Sequence, residues 1–200
     1  MNLAREELDT VNTYNKNSSE WASKHSTKGF WSEEMNKFHD LLPSGKILEI
    51  GAGGGRDARE LIGIGYDYTG VDVSEGLLKE AKKNCPEGKF LQQSIYELDF
   101  LPDYFDGFWT SATLLHIPKN RIDEALSKIN EVVKSKGVGF ISIKKGKGER
   151  IEDDEGPRLF SYYQEKEFKN ILNRNNFEII EFKEKEMSEK TIWLIYFVRV

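Results

Sequence analysis

Lys46-Ile47-Leu48-Glu49-Ile50-Gly51-Ala52-Gly53-Gly54-Gly55-Arg56 decides the fold. Five strand-forming residues run straight into a glycine cluster. Residues 55–64 then repeat their apolar positions at helical spacing until Gly65 stops them. Strand, glycine turn and helix in that order open a βαβ unit. Glycine permits the tight turn and removes the Cβ that would keep a ligand off the backbone. The N–H groups of the turn and of the helix N-terminus are then expected to face that ligand.

Outward from this turn the same rhythm continues. YDYTGVD (66–72) reads as a second strand, and Ser74 is placed to cap a helix running to Asn84. KFLQQ (89–93), FDGFWT (105–110) and GVGFISI (137–143) read as three more strands, with an amphipathic helix over 119–134 that Gly137 closes. A charged loop follows, then a helix around 165–175, then FEIIEF (177–182) and TIWLIYFVRV (191–200). Too few residues separate the last two strands for a helical crossover, so they pair antiparallel. The expected fold is α/β: a doubly wound, mostly parallel seven-stranded sheet that ends in an antiparallel β-hairpin, with helices on both faces. Upstream, residues 6–24 have a weak apolar stripe (Leu8, Val11, Tyr14, Trp21), and Ser32 is expected to cap a second helix ending before Pro43. Residues 1–42 are therefore expected to form a helical lid, and residues 43–200 the domain itself.

Asp72 ends the second strand, where a carboxylate can meet ribose hydroxyls; capping the next helix is the structural alternative. The nucleotide is not a dinucleotide on this pattern. That fingerprint wants glycine at its sixth position, and here Arg56 stands there. A phosphate-cradling loop also fails, because no Gly-Lys-Ser/Thr triplet follows. An acid opening the loop, Glu49, repels a pyrophosphate and suits a cationic ligand.

At this point the chain resembles the class I, Rossmann-like S-adenosylmethionine-dependent methyltransferases. Glu49 to Gly55 looks like that family's first motif and Val71-Asp72-Val73-Ser74 like its second. Phe105-Asp106-Gly107-Phe108 and Leu114-Leu115-His116-Ile117-Pro118 look like its fourth strand and the loop after it. The resemblance runs from Pro43 to Val200 and implies S-adenosylmethionine as cofactor. It implies that Glu49 and the backbone of Gly51, Ala52, Gly53 and Gly55 hold the amino-acid end, Asp72 the ribose and Val73 the adenine. The family commonly has an acid after the third strand. This chain has Gln93-Ser94-Ile95, so a weaker hold on the adenine edge is expected, with Ser94 able to hydrogen-bond. Arg56 has two readings, a partner for the methionine carboxylate or a helix-surface residue.

The resemblance puts the methyl group near the fourth strand, beside Thr110, Ser111, Ala112 and Thr113. His116 is the one group there with a near-neutral intrinsic pKa, as a general base or as a loop histidine that only packs. Aromatic residues of the N-terminal helices (Tyr14, Trp21, Phe30, Trp31) and of 144–165 (Phe160, Tyr162, Tyr163) have two readings, a roof over the acceptor or plain core packing.

Composition narrows the rest. Cys85 is the only cysteine, and His25, His39 and His116 have no metal-ligand spacing. The N-terminus has no apolar stretch of the signal-peptide kind, so cytoplasm is the default, with no membrane partner expected. A net charge of −5 speaks against broad nucleic-acid binding. The cluster Lys144, Lys145, Lys147 and Arg150 is followed at once by acids and reads as a solvated loop. A small-molecule acceptor is expected. Action on protein or tRNA, non-catalytic S-adenosylmethionine binding and a nicotinamide oxidoreductase are the alternatives, and the oligomeric state is left open.

Overall fold

The computed structural model describes residues 2–188 and 191–200. Two helices, α1 (Arg5–Lys24) and α2 (Ser32–Leu41), precede β1 (Lys46–Ile50), α3 (Arg56–Ile64), β2 (Asp67–Asp72), α4 (Glu75–Asn84), β3 (Lys89–Gln92) and β4 (Phe105–Ser111). After two 3-10 turns come α5 (Ile122–Val132), β5 (Val133–Lys144), β6 (Glu149–Glu152), β7 (Arg158–Ser161), α6 (Glu165–Arg174), β8 (Glu178–Ser188) and β9 (Thr191–Arg199). The seven-stranded sheet has the order β3-β2-β1-β4-β5-β9-β8. The first five pair parallel, and β9 lies antiparallel between β5 and β8. The strand order reverses between β1 and β4, which opens a crevice at their carboxyl ends.

Period-two alternation splits the core into two layers. Leu48, Phe108, Ile141, Leu194 and Tyr196 pack under α5 and α6. Ile47, Trp109, Phe140, Ile195 and Phe197 pack under α2, α3 and α4. Trp109 and Phe140 are fully buried and stack at 3.7 Å between ring centres. Each such side chain contributes about 1.5–3 kcal/mol through burial. Ser74 caps α4 as expected, its hydroxyl accepting from Leu77 N at 3.1 Å. Among the described residues no helix is long and apolar enough to cross a membrane.

Several local expectations change. Ser32 does not cap α2: Trp31 occupies that position, and the Ser32 hydroxyl donates to Gly29 O at 2.6 Å. The helix expected over 119–134 opens as a 3-10 turn and ends at Val132, where the chain passes directly into β5. The charged loop after β5 contains the ribbon β6–β7, registered Glu149 to Ser161. ERIE is nearly all exposed and polar, so no apolar alternation marks it.

Helix α1 turns a polar face inward. Its buried positions are Glu7, Thr10, Thr13 and Ala22, while Leu8 is exposed. Hydrogen bonds anchor it. Thr10 accepts from Leu159 N at 2.8 Å, Thr13 donates to Pro157 O at 2.9 Å, and Asn15 accepts from Ser74 Oγ and Gly76 N at 2.8 and 2.9 Å. Glu7 accepts from Tyr96 Oη at 2.6 Å and from Arg121 at 3.0 Å. This anchoring lays α1 over the carboxyl ends of the strands, between α4 and β7.

Candidate functional site

A cavity of about 580 Å³ fills the crevice and is lined from β1, β2, β4, α1 and β7. Glu49, Gly51, Ala52, Gly53, Arg56, Asp72, Val73, Gln93, Ser94, Ile95, Ser111 and His116 all face it. Gly55 and Thr110 do not. Gly55 has a φ of +81°, and a Cβ there would come within 3.1 Å of Ala81 Cα; its job is to let α3 and α4 meet. Thr110 is fully buried under the strand end, and its hydroxyl has no partner among the described residues.

The glycine turn has positive φ at Gly51 and Gly53, +76° and +53°. Its amides are not free as expected. Gly51 N and Ala52 N donate to Val71 O at 2.8 and 3.0 Å, Gly55 N donates to Ala52 O at 3.0 Å, and Gly53 N donates to Asp72 Oδ2 at 2.9 Å. With four of these amides engaged, what the turn offers the cavity is close backbone approach more than N–H groups. Asp72 Oδ1 also accepts from Ser74 N at 2.8 Å, so this carboxylate ties the first turn to the second.

Glu49 is buried and accepts from Tyr68 Oη. Burial, then the neighbouring Asp57, pushes its pKa well above the carboxylate range. A cation placed beside it would draw it back to the charged form. Asp57 was not legible as a site residue. It is buried, accepts from Arg56 Nε and Nη2 at 2.5 and 3.1 Å, and takes the Trp109 indole N–H at 3.0 Å. Its sequence signal is slight: an acid in the first turn of α3. Arg56 is thereby aimed along the cavity wall, 3.4 Å from Ser111 Oγ. Ala112 takes a left-handed φ of +56°, a strain that marks the β4 end as a built corner. Ser94 Oγ accepts from Tyr96 N at 3.2 Å, and Gln93 Oε1 accepts from Asp99 N at 3.2 Å.

His116 is engaged at both nitrogens. Nδ1 lies 2.6 Å from Leu159 O, and a carbonyl only accepts, so Nδ1 carries the proton. Nε2 then accepts from Tyr14 Oη at 2.9 Å. Burial pushes the imidazole pKa down to about 4, with Arg158 and Lys144 adding to the effect. Burial likewise pushes Tyr14 up to about 12. The unfolded imidazole titrates at its ordinary 6.5, so between that value and about 4 the unfolded chain binds the extra proton. Stability is complete above this window and declines as pH falls through it. The share owed to His116 is at most about 3 kcal/mol. His116→Asn should lose correspondingly less stability than the parent between neutral and acidic pH in denaturant melts. Equal pH slopes would show that the imidazole is not held neutral.

Of the expected roof, Tyr14, Trp21, Phe30, Trp31 and Phe160 line the cavity. Tyr163 is core, and Tyr162 turns to Glu152 and the Arg150 guanidinium. Lys144 and Arg158 also line the cavity.

The parallel sheet with its antiparallel final strand, reversed at a crevice lined by a glycine turn and a strand-end acid, is the Rossmann-like architecture that hosts nucleoside cofactors. Residues 47–137 match a family model described as Methyltransferase domain. Over this segment, just under half of its length, the chain is similar to S-adenosylmethionine-dependent methyltransferases. An uncharacterised methyltransferase from Synechocystis sp. is 28% identical over 109 residues, covering 51% of each chain. A demethylmenaquinone methyltransferase from Streptomyces avermitilis is 31% identical over 107 residues, covering 54% of this chain and 46% of its own. The chain thus spans about half the length of these curated relatives. Among solved structures, the Burkholderia thailandensis 1,6-didemethyltoxoflavin-N1-methyltransferase, with 1,6-didemethyltoxoflavin and S-adenosylhomocysteine bound, matches with a TM-score of 0.80. It covers 98% of this chain and 90% of its own, at 20% identity, which is a likeness of fold.

Proposed function

We propose that this chain transfers a methyl group from S-adenosylmethionine to a small-molecule acceptor held in the same cavity. The observation that carries the reading is the donor set at the switch point of the sheet: buried Glu49 and Asp57 beside the glycine turn, and Asp72 at the β2 end. Such a set fits a ligand with a cationic end and a vicinal diol, and resists a pyrophosphate. On this reading Glu49 and the Gly51–Gly53 backbone hold the amino-acid end, Arg56, aimed by Asp57, meets its carboxylate, and Asp72 takes the ribose hydroxyls. Val73 and Ile95 sandwich the adenine while Gln93 and Ser94 border its edge. When bound, the cofactor supplies a methyl carbon already activated by a sulfonium.

The chain's residues then have to align the acceptor and exclude water. Ser111 and Ala112 shape the wall by the methyl position, and α1 closes the roof. His116 positions the Tyr14 hydroxyl and takes no proton, so His116→Ala should lower kcat by no more than about tenfold.

Calorimetric titration with S-adenosylhomocysteine and with NADH tests the reading. Only S-adenosylhomocysteine should bind, and it should slow tryptic cleavage after Lys16 and Lys24 if residues 1–42 cover the site. NADH binding without S-adenosylhomocysteine binding overturns the function. Cleavage at equal rates overturns the cover alone.

A further inference from the structure

The cavity wall carries both acidic and basic side chains. Glu49, Asp57 and Asp72 gather around the glycine turn. Lys144 and Arg158 line the same cavity beside Tyr14, His116 and Phe160; the Arg158 guanidinium lies 5.8 Å from the Tyr14 ring centre and 5.4 Å from that of Phe160. Lys144 is the last residue of β5, directly across the strand pair from Trp193. Its ammonium lies 4.3 Å from the centre of the Phe160 ring, and among the described residues no carboxylate accepts from it. Lys145, one position on, faces the other way and donates to both oxygens of Glu184 at 2.7 and 2.8 Å.

The charges that Lys144 feels are Glu152, Arg158, Asp154 and Arg150, and each already has a partner. Glu152 accepts from Arg150 and Tyr162. Asp154 pairs with Arg158 at 2.8 Å, and neither Glu152 nor Asp154 lines the cavity. Arg158 is buried, and its Nε has no partner among the described residues. Burial lowers the Lys144 pKa, and the attraction of Glu152 and Asp154 offsets it only in part.

An unpaired cation in a part-apolar wall is costly unless something anionic meets it. We infer, on the methyltransferase reading above, that the acceptor is a small planar acid bound as its anion, with Lys144 as counter-ion and Phe160 and Trp193 against its faces. Arg158 adds positive potential behind Tyr14. An acceptor delivered in this state needs no base, in keeping with a His116 whose two nitrogens are both engaged.

The test compares planar acids with neutral twins by calorimetry at mildly alkaline pH, with and without saturating S-adenosylhomocysteine. The pairs are 4-nitrophenol with 4-nitroanisole, theophylline with caffeine, and 2-naphthoate with 2-naphthamide. At least one acid should bind about tenfold or more tightly than its twin. Lys144→Met should erase that preference, and Lys144→Arg should keep it, both with unchanged S-adenosylhomocysteine affinity. A preference confined to naphthoate identifies a carboxylic acid; one for nitrophenol or theophylline identifies an acidic ring hydroxyl or ring N–H. At mildly acidic pH, added protein should also raise the visible nitrophenolate band, and Lys144→Met should abolish that rise. The inference is overturned if no acid is preferred, or if the preference survives in Lys144→Met. Failure of S-adenosylhomocysteine to bind overturns the methyltransferase reading instead, and the measurements made without it still decide the role of Lys144.

Discussion

Gly51→Ala is expected to remove about 3 kcal/mol of stability and to weaken S-adenosylhomocysteine binding on the order of a hundredfold. Two costs combine. Gly51 sits at φ +76°, where an L side chain is strained by about 1–2 kcal/mol. Its new Cβ would also run into Thr113, reaching 2.6 Å from Cγ2 and 2.8 Å from Cβ. Thr113 cannot swing away freely, because its hydroxyl donates to Ser111 O at 3.2 Å. Overpacking of this kind costs about 1–3 kcal/mol. Nor can the turn move back, since Gly51 N donates to Val71 O. The affinity loss follows because the turn and the β4 end are the two walls of the crevice. Urea melts and calorimetry on Gly51→Ala and on Gly51→Ala/Thr113→Ala separate the terms. The double variant should recover the clash and keep the strain. A single variant with an unshifted midpoint would mean that the β4 end yields to the methyl group.

Asp72→Asn is expected to weaken S-adenosylhomocysteine about tenfold or more, and also to cost about 2 kcal/mol of stability. From the sequence alone the loss falls on binding, with little change in folding. The structure adds a second job. Each carboxylate oxygen accepts from a backbone N–H, Gly53 on one side and Ser74 on the other. An amide has a single acceptor oxygen, so its NH2 must face one of those donors. Hydrogen bonds to a charged group contribute about 1.5–3 kcal/mol. A variant that loses stability and retains affinity would make Asp72 a clamp between the two turns and no ribose ligand. Retention of both would remove it from the site altogether.

The glycine turn, the acid at the β2 end, the Ser74 cap and the closing antiparallel strands were legible because each is a local pattern: a conformational demand, a period of two, or a loop too short to cross. Tertiary structure decided what those patterns leave open. The turn's amides are engaged because Val71 O and Asp72 reach them across β2, a pairing made only when the strands come into register. Gly55 serves the α3–α4 contact and does not line the cavity, which depends on where Ala81 lies. The inward side of α1 carries polar anchors whose partners lie at β7 and α4, beside Val11, Tyr14 and Trp21 of the apolar stripe, which line the cavity; Leu8 alone of that stripe turns to solvent, and the polar anchors had no signal in hydrophobic spacing. Lys144 and Lys145 are one chemical type in one charged run. Alternation through the end of β5 turns Lys144 into the cavity and Lys145, the next residue, to Glu184, and which of the two turns inward was fixed only by the pairing of β5 with β9.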